Sequence, residues 1–269
     1  MSAVSLYAKA SADFDSKLAE TTALLQRAAQ EFSPLTQASS LGAEDMVITH
    51  LLAEHHIDCR IFVLETGMLH PQTVDMIGRI EARYARPVDA YRPVAEAAAQ
   101  FVSTHGDKAM YQGVELRKAC CGIRKMEPLG RALAGKKGWL TGLRREQSNA
   151  RAEVELIEHE WVGEPGQTVQ RAKVNPLARW TAGDVWHFIA INNILYNPLH
   201  DEFFPSIGCA PCTRAVTLGE DIRSGRWWWE QESAKECGLH VSDSTDGQSA
   251  AISTISTISS IIPIKEVSA

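Results

Sequence analysis

No run of roughly 18 consecutive apolar residues occurs in the 269-residue chain, so the sequence offers no transmembrane helix. The start, Met1-Ser-Ala-Val-Ser-Leu-Tyr-Ala-Lys9, lacks the apolar stretch of a secretory leader. A cytoplasmic enzyme is therefore expected. Positive charge is not in excess: the formal net charge is −6 and the pI about 5.9. No overall basic field recruits nucleic acid or an anionic membrane, and neither is expected as a partner. Hydrophobic residues at 45% and charged residues at 22% exclude global disorder and collagen-like repetition. Cysteine is sparse, with six residues, too few over this length for a disulfide-stapled miniprotein. No long linker interrupts residues 1–240, which are read as one domain with a full hydrophobic core.

What is present is an alternation of strand-like and helix-like segments. Leu35–Ser39 reads as a short strand, leading through Ser40-Leu-Gly-Ala-Glu-Asp45 into a helical run over Met46–Ala53. Arg60–Leu64 is rich in β-formers and is followed by a helix that Pro71 can open, since proline's missing N–H does no harm there. Val88–Tyr91 reads as a strand, Ala95–Val102 and Leu116–Leu133 as helices, and Trp139–Gly142 as a further strand. This order implies a parallel sheet covered by helices on both faces, with ligands at the carboxyl ends of its strands. Val154–Glu160 and Val169–Val174 resemble a hairpin at the sheet edge, and Thr181-Ala-Gly-Asp184 a capping box opening a helix over Val185–Asn192. From Leu199 to His240, loop and short helix are expected. In Val241–Ala269, eight of 29 residues are Ser and six are Ile, and four of the isoleucines recur every third residue, a period of neither helix nor strand. A disordered tail is expected there.

Three short motifs follow strand ends. Ser39-Ser40-Leu41-Gly42-Ala43-Glu44-Asp45 is a small-residue turn at a helix start, able to cradle a phosphate or simply to cap the helix. Thr66 and Gly67, in Leu64-Glu-Thr-Gly67, end a strand where glycine lets a nucleotide approach, or merely makes a turn. Thr141-Gly-Leu-Arg144-Arg-Glu-Gln-Ser148, followed by Arg151, sets guanidinium forks past a strand end, suited to phosphate or sulfate. A solvated charge run is the plainer reading.

The cysteines are more specific. Cys120-Cys121 opens a helical stretch, and Cys209-Ala-Pro-Cys212 lies in a loop 88 residues later. Four thiolates in two pairs suit tetrahedral zinc or a cubane iron–sulfur cluster, the adjacent pair fitting the cubane more comfortably. Lys125, one helical turn past Cys121, can point into the same space. Cys59 has no such company and reads as a buried apolar residue. Trp227, Trp228 and Trp229 read as packing. Cys237, beside Gly238 and close to Lys235 and His240, has basic neighbours that favour a nucleophilic thiolate; an inert exposed thiol is the alternative.

Taken together, these motifs resemble the assimilatory adenylyl-sulfate (APS) reductases, relatives of the phosphoadenylyl-sulfate (PAPS) reductases. The marks are SSLGAED at 39–45, LETG at 64–67, KACCGIRKMEPL at 118–129, TGLRREQS at 141–148, IGCAPCTR at 207–214, GRWWWE at 225–230 and KECGLH at 235–240. The resemblance runs from about Leu35 to His240; the Ser/Ile tail has no counterpart in it. It implies a modified ATP-pyrophosphatase-like, adenine nucleotide alpha hydrolase-like α/β fold. It also implies a 4Fe–4S cluster on Cys120, Cys121, Cys209 and Cys212, not expected to shuttle electrons, with Lys125 between cluster and substrate. Arg151, Arg223 and Arg226 match positions that hold phosphate and sulfate. Cys237 matches the nucleophile, on a mobile segment near 230–240, and thioredoxin would supply the electrons. Ser39, Ser40, Gly42, Asp45, Thr66, Gly67, Arg144 and His240 complete the expected substrate site. Whether the chain forms a homo-oligomer is left open. The competing readings are a PAPS reductase, an ATP-pyrophosphatase-type adenylating enzyme and a metal-thiolate redox sensor. The four cluster cysteines favour APS over PAPS, KECGLH is idle in the adenylating enzyme, and the ordered arginines are unexplained in the sensor.

Overall fold

The computed structural model describes residues 2–163 and 168–231. The expected nucleophile Cys237, the neighbouring His240 and the Ser/Ile tail lie outside the described residues. The chain opens with helices α1 (Ala3–Tyr7) and α2 (Phe14–Glu31) and then alternates: β1 (Leu35–Ser39), α3 (Ala43–Glu54), β2 (Arg60–Leu64), α4 (Pro71–Tyr84), β3 (Val88–Tyr91), α5 (Ala95–His105). Helices α6 (Val114–Cys121) and α7 (Glu127–Ala132) follow, then β4 (Gly138–Leu140), β5 (Ile157–Val162), β6 (Val169–Val174) and α8 (Ala182–Ile191).

The six strands form one sheet in the order β3-β2-β1-β4-β6-β5. Every neighbouring pair is parallel except β5 with β6, the hairpin that closes one edge. Strand residues alternate between two helical layers, as a period of two requires. Ile61, Val63 and Leu140 point into the main core with α2, α3, α4 and α8, whereas Phe62 and Trp139 pack on α7. Both faces are thus covered, and the polar residues of β1 that this buries are hydrogen-bonded: Thr36 Oγ1 donates to Arg60 O at 2.9 Å and Gln37 Nε2 to Asp45 O at 2.8 Å.

Local chemistry explains the element ends. Pro71 occupies the first turn of α4. At α8 the capping box forms: Thr181 Oγ1 accepts from the Asp184 backbone N–H at 3.0 Å, and an Asp184 carboxylate oxygen accepts from the Thr181 N–H at 2.9 Å. The fully buried Asp184 also accepts from the Ser11 N–H at 2.7 Å and from Lys17 at 3.1 Å, so the same cap ties the N-terminal segment to the body.

One expectation needs correction. Instead of a single helix over Leu116–Leu133, α6 ends at Cys121, and Gly122–Met126 forms a π-helical turn before α7 begins. Pro128 lacks an N–H and its ring crowds the carbonyl four residues back, so the preceding turn widens to i→i+5 bonding. Cys120 and Cys121 therefore close a helix, and Lys125 projects from the widened turn.

Candidate functional site

The chain runs outward from β1 to β2 and β3, then returns to place β4 on the other side of β1. That reversal leaves a crevice beyond the carboxyl ends of β1 and β4, where open α/β sheets bind ligands. A cavity of about 260 Å³ lies there. Its wall includes Ser39, Ser40, Gly42 and Asp45 after β1, Thr66 after β2, Arg144 and Arg151 after β4, and Lys125, Arg223 and Arg226 from elsewhere. These ten expected site residues, spread over almost 190 positions of sequence, meet at one cavity. Gly67 lies off the wall; with φ +71° it makes the turn after β2, its N–H donating to Glu65 Oε1 at 2.8 Å.

The arginines differ in what they are free to do. Arg144 is buried and committed: its Nε donates to Glu44 Oε1 and its Nη1 to Glu146 Oε2, both at 2.9 Å. Arg151 is also buried, with Nη1 donating to Gln147 Oε1 at 2.6 Å. Arg226 lies over Trp227, 4.6 Å from the ring centroid, and among the described residues its buried Nε has no hydrogen-bond partner. A Cβ on Gly208 would run into the Arg226 guanidinium, so glycine leaves room for that side chain over Trp227.

A second, smaller cavity is lined by Cys120, Cys121, Cys209 and Cys212 together, with Met68, Arg124, Lys125 and Trp227 among its other residues. Backbone pairing anchors the second cysteine pair to the segment after β2 and to Trp227. Cys209 bridges to Leu69 as a short antiparallel pair, the Ala210 N–H donates to Met68 O at 2.7 Å, and the Trp227 N–H donates to Cys212 O at 3.2 Å. Thr66 Oγ1 lies 3.2 Å from Cys209 Sγ. Burial pushes the Cys212 thiol up to about 12 and raises Cys120; the neighbouring Cys209 adds to both, while Lys125 opposes both. Four thiols lining one cavity with Trp227, whose buried indole N–H has no partner among the described residues, are a donor set for a sulfur-ligated group. Among the described residues no three His, Cys, Asp or Glu side chains converge as a single ion requires. A cubane, which gives each thiolate its own iron, does not require that convergence. Cys59, by contrast, is buried with its thiol pushed up to about 12, an inert core residue.

Lys125, Cys209 and Trp227 line both cavities and form the partition between them. Of the three consecutive tryptophans, Trp227 is buried between the guanidiniums of Arg117 and Arg226, at 4.7 and 4.6 Å from the ring centroid. It packs, as expected from the sequence, and also walls the site. Sequence reasoning missed Glu44, His200, Tyr7 and Trp186, which share the main cavity. His200 is buried against Trp186, and burial pulls its imidazole down to about 4, so it is neutral. For Glu44 a signal existed, an acidic residue in the first turn of a helix; for His200 and Tyr7 nothing local marks them.

The model of the phosphoadenosine phosphosulfate reductase domain matches residues 34–215. An adenosine 5′-phosphosulfate reductase of Allochromatium vinosum is 48% identical over 81% of this chain and 82% of its own length. The Neisseria meningitidis serogroup A protein of that name is 50% identical over 76% and 81%, respectively. Among solved structures, a phosphoadenylyl-sulfate reductase from Candida auris, in a phosphate complex, superposes with a TM-score of 0.59 at 27% identity, over 77% of this chain and 98% of that one. An FMN adenylyltransferase of Candida glabrata shares the fold, with a TM-score of 0.52 at 14% identity over 89% of this chain and 85% of its own.

Proposed function

Because the chain belongs to the phosphoadenosine phosphosulfate reductase family, we propose that it reduces adenylyl sulfate to sulfite and AMP in the cytoplasm, with thioredoxin as electron donor. The observation that carries this reading is the shared wall: a cavity at the strand ends lined by Lys125 and four arginines abuts a four-thiol cavity across Lys125, Cys209 and Trp227. The relatives near half identity, named for adenosine 5′-phosphosulfate reduction, support the unphosphorylated substrate over its 3′-phosphorylated counterpart.

In this reading Cys120, Cys121, Cys209 and Cys212 hold a 4Fe–4S cluster. When bound, the cluster supplies a structural and electrostatic anchor beside the substrate rather than electrons. Lys125, Arg151, Arg223 and Arg226 neutralise the phosphosulfate oxygens, so that an anionic thiolate can approach. The adenylate lies over Ser39, Ser40, Gly42 and Thr66, and His240 acts beside the thiolate. The thiolate of Cys237 attacks sulfur, the bond to the bridging oxygen breaks and AMP leaves with its electron pair. The product is an S-sulfocysteine. A thioredoxin thiolate then attacks Cys237 Sγ, but releases sulfite only after that sulfur is exposed, which calls for a mobile segment. The second thioredoxin thiol closes the disulfide and returns Cys237 as a thiol.

The test is sulfite release from APS and from PAPS, side by side, with thioredoxin. With sulfur-labelled APS and no thioredoxin, the protein should retain label and release AMP; Cys237→Ser should bind APS and retain none. A labelled Cys237→Ser protein would overturn the mechanism, and sulfite from PAPS alone would overturn the substrate.

A further inference from the structure

The turn between β1 and α3 has what a phosphate site uses: backbone and hydroxyl donors at a helix N-terminus. Two of those donors are already engaged. The Ser40 N–H and the Ser40 hydroxyl both donate to the same Asp45 carboxylate oxygen, each at 2.6 Å. Leu41, at φ +64°, bends the turn around that carboxylate. Helix α3 is buried on nearly every side, so Asp45, in its first turn, is carried into the interior and left 5% exposed. Its other oxygen presses on the β4 turn: a Cβ on Gly142 would stand 2.5 Å from Oδ1. Beside it, Glu44 holds a second negative charge against Arg144 at 2.9 Å and Gln147 at 3.1 Å.

We infer that Asp45 is a specificity-determining residue: its carboxylate fills the anion cradle of the β1–α3 turn and excludes nucleotides that bring a second phosphoryl group to it. The inference rests on the adenylyl sulfate reading of the cavity. With the phosphosulfate at Lys125 and Arg226, next to the thiols, the nucleoside extends over the ends of β1 and β4, where Asp45 and Glu44 lie. A phosphoryl group on the ribose must then displace an internal carboxylate from its donors or sit against two negative charges. A monophosphate nucleoside meets neither obstacle.

The experiment is equilibrium binding of AMP and of adenosine 3′,5′-bisphosphate to the full-length protein. The two ligands differ by one phosphoryl group. Wild-type protein should bind AMP at least tenfold more tightly. Asp45→Ser, which empties the cradle, should narrow that ratio at least fivefold through a gain for the bisphosphate. Asp45→Asn keeps the shape of the turn without the charge, and Glu44→Gln removes the neighbouring charge. Each should narrow the ratio by a smaller factor, and either serves if Asp45→Ser does not fold. Folded variants that bind AMP and keep the wild-type ratio would overturn the inference while leaving the proposed activity standing. Wild-type protein that binds neither nucleotide would remove the reading of the cavity itself, and the inference with it.

Discussion

Arg117 and Glu230 form a buried ion pair joining α6, just ahead of Cys120, to the end of the described chain. The pair is bidentate, with Arg117 Nε and Nη2 donating to the two carboxylate oxygens at 2.9 and 2.8 Å. The side chains are 1% and 3% exposed. Arg117 also stacks on Trp227, the residue that walls both cavities. Replacing Arg117 by Met keeps most of its volume but strands the Glu230 carboxylate out of water. Leaving one member of such a pair alone costs about 3–5 kcal/mol, and losing the cation over the indole adds about 0.5–2 kcal/mol. Against a total stability of about 5–15 kcal/mol, either single substitution should lower the urea midpoint sharply with the slope unchanged. The Arg117→Met/Glu230→Leu double variant should recover most of the loss, because no charge is then left buried. A loss below about 1 kcal/mol in both single variants would refute the reasoning, since it would mean that the pair is solvated in the native protein.

Gly142→Ala should cost about 1–3 kcal/mol in denaturant titration, since the new Cβ would lie 2.5 Å from Asp45 Oδ1 and 2.9 Å from Glu44 Cβ. Burial and the adjacent Glu44 push the Asp45 carboxyl up to about 6, so the folded protein holds that proton more tightly than the unfolded chain. The group's contribution is therefore greatest below the ordinary carboxylate range and is lost as pH rises through about 6. From that displacement, wild-type stability relative to Asp45→Asn should fall by about 2 kcal/mol between pH 4 and pH 7; a pH-independent difference would contradict the burial argument. For the cysteines, protein purified without oxygen should be brown with about four irons per chain, and Cys209→Ser should lose both iron and activity. Active protein with stoichiometric zinc and no iron would end the cluster assignment.

Local chemistry made much of this molecule legible from its sequence. The strand–helix alternation from Leu35 to Leu140, Pro71 at a helix start, the Thr181–Asp184 capping box and the edge hairpin all follow from interactions within a few residues. Such signals survive without knowledge of what lies across the core. The resemblance likewise marked ten residues that share one cavity; seven of them lie at or after the ends of β1, β2 or β4, and motifs at strand ends are gathered wherever the strands are parallel. Tertiary structure alone decided the rest. The order of the strands, with its reversal between β1 and β4, is a long-range choice, and so is the meeting of Cys120 and Cys121 with Cys209 and Cys212 in one cavity. Arg117 finds Glu230 across 113 residues, and no period or spacing in the chain records that pairing. The β1–α3 turn reads in sequence as a place for a phosphate. The fold buries α3 so deeply that Asp45 is driven onto the turn's own donors, and burial in a packed core is a property no window of sequence contains.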